Sequence, residues 1–85
     1  MKEITYTITD HAGVHARPAG MLVKLAASFA SDVKVKKDGE PVDAKRIFAV
    51  MGLAAKQGET LTFTVEGDDE NNAAAELEEF LKQNL

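Results

Sequence analysis

Ile4-Thr5-Tyr6-Thr7-Ile8-Thr9 alternates apolar and polar residues, and the alternation stops at Asp10-His11-Ala12-Gly13. Period two in β-branched and aromatic residues predicts a half-buried strand, and the break predicts a turn. Beyond the turn the period changes. Pro18 suits the first turn of a helix, where its missing N–H costs nothing, and Ala19, Leu22, Val23, Ala26 and Ala30 recur at helical spacing. Met21, Lys24 and Ser28 fall on the opposite side, toward solvent or a partner. A strand with one apolar face, followed by a helix with one apolar stripe, calls for a helix packed on a sheet.

The rest of the chain continues in that style. Val33 and Val35 alternate with lysines in a second strand, and Asp38-Gly39 signals a hairpin into a short third strand around Val42. Ala44 to Leu53 reads as a short helix, and Leu61, Phe63 and Val65 alternate with threonines in a fourth strand after Gly58. Gly67-Asp68-Asp69-Glu70 opens a last helix with acidic groups at its positive end, and Ala73, Leu77, Phe80 and Leu81 form its stripe. The order β-α-β-β-α-β-α predicts an α+β open-faced β-sandwich, a four-stranded, mostly antiparallel sheet with three helices on one face. The right-handed crossover rule lets the first and second strands run parallel with the fourth between them, which gives the order 1-4-2-3. With no repeat or linker, residues 1–85 read as a single domain.

A chain of 85 residues is too small to close a deep cleft, so its chemistry belongs on a surface. Cysteine is absent, which excludes a disulfide framework and thiolate metal sites. Neither a cofactor nor a metal is expected. The early start of the first strand leaves no room for a secretory signal, and no apolar run approaches membrane-spanning length, so the expected location is cytoplasmic, without membrane insertion. The net charge of −4 is uneven: residues 1–30 carry +1, residues 31–58 carry +2 and residues 59–85 carry −7. The first two-thirds can offer a basic patch to an acidic protein, and nucleic acid is disfavoured as a partner.

Gly13-Val14-His15-Ala16-Arg17-Pro18 places an imidazole and a guanidinium where a turn becomes a helix. A cation there opposes the macrodipole by ~0.3–1 kcal/mol, and neither side chain caps as Ser or Asp would. An anion resolves the conflict, because the free N–H groups of a helix start bind anions and Arg17 adds charge. His15 points to a covalent phosphoryl group. Imidazole, with a reference pKa near ~6.5, is largely neutral near pH 7, and a ring nitrogen can attack phosphorus without a strong base. These residues leave the choice between the two ring nitrogens open. His11 reads as a turn residue, and Asp68, Asp69 and Glu70 lack calcium-loop spacing and suit a helix start.

The stretch Gly13 to Ala19 resembles the phosphorylation-site signature of the histidine-containing phosphocarrier family, HPr, of the bacterial sugar phosphotransferase system. The Asp38-Gly39 hairpin, the Lys45 to Leu53 segment and Glu66-Gly67-Asp68-Asp69-Glu70 resemble family counterparts in order and spacing. The resemblance implies that His15, at Nδ1, takes a phosphoryl group from enzyme I and passes it to the A domains of enzymes II, with Arg17 supporting transfer. A transiently docking monomer is expected, and the sequence leaves a nitrogen-related phosphorelay open as the alternative to the sugar pathway.

Where many relatives carry a regulatory serine, this chain reads Lys45-Arg46-Ile47-Phe48, so seryl phosphorylation is not expected. The run Ile47 to Met51 is too apolar for a short helix that buries one side. Phe48 and Met51 are equally suited to surface and core, while Ile47 and Val50 lean to the core. The expected docking face comprises Met21, Lys24, Arg46, Ile47, Phe48, Met51 and Gly52. Two rival readings remain: a regulatory protein on the same scaffold, and an RNA-binding module, which would need aromatics on the open sheet face. Arg46 is expected to speed association with an acidic enzyme I surface, so Arg46→Ser lowers the association rate and flattens its salt dependence in stopped-flow measurements.

Overall fold

Leu61, Phe63 and Val65 lie on one face of strand β4 (Thr60–Glu66), and each is at most 1% exposed. In this computed structural model, which describes all of Met1–Leu85, β4 pairs antiparallel with β1 (Lys2–Thr7) on one side and β2 (Asp32–Lys36) on the other. The short β3 (Val42–Asp43) pairs antiparallel with β2, completing the order β1-β4-β2-β3. The register matches apolar to apolar. Ile4 faces Phe63, Tyr6 faces Leu61, Val33 faces Val65 and Val35 faces Phe63. β1 and β2 therefore run parallel to each other, as the crossover rule anticipates.

Helices α1 (Ala16–Ala27), α2 (Ile47–Gly52) and α3 (Glu70–Asn84) cover the apolar face. Ala19, Leu22 and Ala26 of α1, Val50 of α2, and Ala73, Leu77 and Leu81 of α3 join the strand residues in one buried cluster. Each Leu or Phe so buried contributes roughly 1.5–3 kcal/mol. The other face carries Thr5, Thr7, Thr60, Thr62, Thr64, Lys34 and Lys36, all exposed or half-buried. That face has no aromatic residue, because Tyr6 and Phe63 point to the helices. The RNA-binding reading loses its stacking platform.

Several local expectations shift. α1 ends at Ala27, so Ala30 is exposed and Phe29 takes the core position, its N–H donating to the Ala26 carbonyl at 3.2 Å. α2 begins at Ile47 rather than Ala44 because Asp43 captures the amides before it. The Asp43 carboxylate accepts the Lys45 N–H at 2.9 Å, and its carbonyl accepts the Arg46 N–H at 3.2 Å. Asp38-Gly39 sits in a wide bend over residues 36–41, and Gly39 keeps a negative φ, so no tight two-residue turn forms. Phe80 is half-buried rather than core.

Asp69 stands at the start of α3 but makes no capping bond. Its carboxylate accepts hydrogen bonds from the Ala30 N–H at 2.9 Å, the Ser31 N–H at 2.9 Å and the Ser31 hydroxyl. It therefore clasps the α1–β2 connection to the start of α3. Gly67 belongs to the same contact, since a Cβ there would lie 2.6 Å from Ser31 Cα. The Ser31 hydroxyl and then the Ala30 amide hold the Asp69 carboxyl below its ordinary pKa.

A lowered folded-state pKa means that the clasp stabilises fully above the ordinary carboxylate pKa and is lost as pH falls through the folded value. Asp69→Asn is accordingly expected to melt lower than the parent at pH 7, with the gap closing as pH drops through ~4 and below. A gap independent of pH in thermal melts contradicts this. Ala54, just past α2, holds φ at +51°, in the left-handed region that costs a non-glycine residue ~1–2 kcal/mol. After subtracting the unfolded-chain entropy of glycine, Ala54→Gly is expected to stabilise by roughly 0.5–1 kcal/mol in denaturant titrations.

Candidate phosphoryl-carrier site

His15 is the residue at the start of α1, with extended backbone angles (φ −99°, ψ −179°) and no side-chain capping bond. Its N–H donates to the Gly13 carbonyl at 3.1 Å, and its carbonyl accepts the Ala19 N–H at 2.9 Å. Gly13 makes this path possible. Its φ is +65°, and a Cβ would collide with the Ala55 carbonyl and lie 2.9 Å from Lys56 Cα. The close approach lets the Val14 N–H reach the Ala55 oxygen at 3.0 Å. Val14 then turns into the core and His15 turns out to an exposed position.

The first turn of α1 is Ala16, Arg17 and Pro18. The amides of Ala16 and Arg17 make no hydrogen bond within the protein, and Pro18 has none to offer. No acidic residue lies in this turn. Two free N–H groups at the positive end of a twelve-residue helix thus sit beside an exposed imidazole and an exposed guanidinium. The two ion pairs of the structure, Met1 with Glu70 at 2.8 Å and Lys37 with Glu59 at 3.5 Å, involve neither side chain. Arg17 is left free for an anion.

His15, Arg17, Pro18 and Met21 border one shallow depression together with Asp10, Gln83 and Asn84. Sequence reasoning missed the last two. Nothing in the local pattern of α3 marks them, and they reach the site only because α3 ends beside the loop that leaves β1. Asp10 is the sole carboxylate on this rim, and its Oδ1 is engaged by the Ala12 N–H at 2.8 Å. That bond closes the turn which the sequence predicted. His11 lies in the same turn, with Nδ1 3.3 Å from Gln57 Oε1.

α1 packs against both α2 and α3, and its outer face continues onto α2. Met21 is 43% exposed, Phe48 87% and Met51 38%, so the surplus of apolar residues does reach the surface. Lys24, Arg46 and Gly52 are exposed around them, Ile47 is half-buried and Val50 is buried. Arg46 begins α2 without a capping bond and without an acidic partner. The patch is apolar with a basic rim, and it adjoins the histidine depression at Met21. No helix is long and apolar enough to cross a membrane.

Known proteins share this arrangement. Residues 2–83 match the family described as PTS HPr component phosphorylation site. The chain is 43% identical over 83 residues to the phosphocarrier protein HPr of Lysinibacillus sphaericus, covering 98% of this chain and 94% of that protein. The crystal structure of HPr-C-His from Thermoanaerobacter tengcongensis superposes with a TM-score of 0.92 at 40% identity, covering 98% of this chain and 93% of that one. An HPr dimer from the same organism superposes at 0.77, again at 40% identity, over 98% and 95% of the two chains. An open-faced sandwich of this order, matched over nearly its whole length, leaves one conclusion: the chain belongs to the HPr family, phosphoryl carriers of the phosphotransferase system rather than turnover enzymes.

Proposed function

We propose that His15 is the phosphoryl-bearing residue, loaded by phosphorylated enzyme I and unloaded onto the A domains of enzymes II, with residues 1–85 acting as one carrier domain. The observation that carries this reading is the exposed imidazole at the start of α1, beside two unpartnered amides and an unpaired Arg17. In the transfer, the N–P bond of the donor phosphohistidine breaks as a bond to the Nδ1 atom of His15 forms, and the donor nitrogen departs with the electron pair. The family resemblance supports Nδ1 as the reacting atom. Arg17 and the Ala16 and Arg17 amides balance the phosphoryl charge without holding it in a closed pocket, which suits a group that must leave again.

Docking uses Met21, Lys24, Arg46, Ile47, Phe48, Met51 and Gly52, where exposed apolar side chains supply contact area and the basic rim steers acidic partners. The chain acts in the cytoplasm as a monomer. Arg46 cannot accept a phosphoryl ester, so the chain is a carrier without seryl regulation at that position.

Incubation with phosphoenolpyruvate, Mg²⁺ and enzyme I is expected to add one acid-labile phosphoryl group to the parent and none to His15→Ala. Arg17→Ala is expected to slow transfer by roughly 10²-fold, the scale of losing one donor to developing charge. Equal labelling of His15→Ala overturns the reading. ATP with a seryl kinase is expected to leave position 46 unmodified.

A further inference from the structure

The His15 side chain makes no hydrogen bond in the structure, so its position is inherited from the loop that precedes it. Transfer between two ring nitrogens needs them aligned through phosphorus, and a misplacement of about 1 Å can cost roughly 10²-fold in rate. Two elements distant in sequence grip that loop, and both act at Thr9. The first is Gln57, in the connection between α2 and β4. Its Nε2 donates to the Thr9 carbonyl at 3.2 Å and its Oε1 lies 3.3 Å from His11 Nδ1, across separations of 48 and 46 residues. With the amide oriented by Thr9, its oxygen faces His11, whose Nδ1 therefore carries the proton.

The second is Leu85, at the end of α3. Its main-chain oxygen accepts the Thr9 N–H at 2.6 Å, the Asp10 N–H at 2.9 Å and the Thr9 hydroxyl at 3.1 Å. The Leu85 side chain is only 3% exposed, so this acceptor is anchored in the core. Thr9 is thus held at its N–H, its carbonyl and its hydroxyl. From there the Gly13 N–H to the Asp10 carbonyl at 3.0 Å and the Val14 N–H to the Ala55 carbonyl at 3.0 Å carry the constraint to His15.

Gln57 is exposed and contributes nothing to the core. A surface side chain that spans two strands' worth of chain to bond a loop carbonyl and a loop imidazole serves the placement of that loop. We infer that Gln57 and the Leu85 main-chain oxygen are the positioning elements for His15, gripping Thr9 so that the imidazole meets the phosphoryl group in line. Neither touches the phosphoryl group. The inference rests on His15 as the phosphoryl-bearing residue.

Rapid-quench transfer from phosphorylated enzyme I to the full chain tests it, in the parent, Gln57→Met, Gln57→Glu and Thr9→Val. Gln57→Met keeps the side-chain length and removes both bonds; Gln57→Glu keeps the acceptor facing His11 and loses the donor facing Thr9. Both are expected to lower the maximal transfer rate about tenfold, and Thr9→Val about threefold, while KM stays within about twofold of the parent. Amide hydrogen exchange over residues 9–14 is expected to quicken in all three, with melting temperatures close to the parent's. Parental rates in Gln57→Met, or a loss confined to KM, overturn the inference even where exchange quickens. Continued labelling of His15→Ala overturns the assignment of His15 itself, an outcome separate from any effect at Gln57.

Discussion

Pairing of β4 with both β1 and β2 is the constraint from which the rest of the molecule follows. Because β1 runs antiparallel to β4, the end of β1 at Thr7 lies opposite the start of β4 at Thr60. The segment that enters β4 must then lie beside the segment that leaves β1. Every contact between residues 55–59 and 8–14 follows from this, from the Ile8 and Gly58 amides to the Val14 bond on Ala55. α3 reverses after β4 and so runs with β1, which brings its last residue to the same end of the sheet. Strand direction and the return of α3 together assemble this corner.

At that corner the molecule tolerates a helix start that its own side chains leave uncapped. The amides of Ala16 and Arg17 are exposed, so water satisfies them at little cost, whereas the same groups buried would each forfeit a hydrogen bond. Arg17 opposes the helix dipole by ~0.3–1 kcal/mol, a small charge against the apolar cluster beneath it. The exposed Phe48 and Met51 are a similar concession at the surface of α2. Both concessions leave polar donors and apolar area unpaired at the surface.

Asp69 shows how a single group joins distant parts of this small fold. Its residue type and place suit a helix cap, yet its carboxylate serves Ala30 and Ser31 across 39 and 38 residues. Gly67 accommodates the approach, and Ser31 is completely buried under it. The connection between α1 and β2 is thereby locked to the start of α3. The sheet and α3 cannot separate without stripping a carboxylate of its donors.

Periodicity was enough for the seven elements, the crossover rule supplied the sheet order, and helix-start chemistry singled out His15 and Arg17, because side-chain alternation and helix-start chemistry are local and leave their mark in adjacent residues. Misplaced boundaries arose where a neighbour competed for the backbone, as Asp43 does before α2, or where a turn tightened, as at Phe29. The rim residues Gln83 and Asn84, the grips of Gln57 and Leu85 on Thr9, and the Asp69 clasp left no local mark. Each joins groups tens of residues apart, and such contacts depend on strand pairing and on the direction in which a helix returns. The helix start that carries His15 was thus legible in the sequence, while the surroundings of that histidine were decided only when β4 paired with β1 and α3 came back beside it.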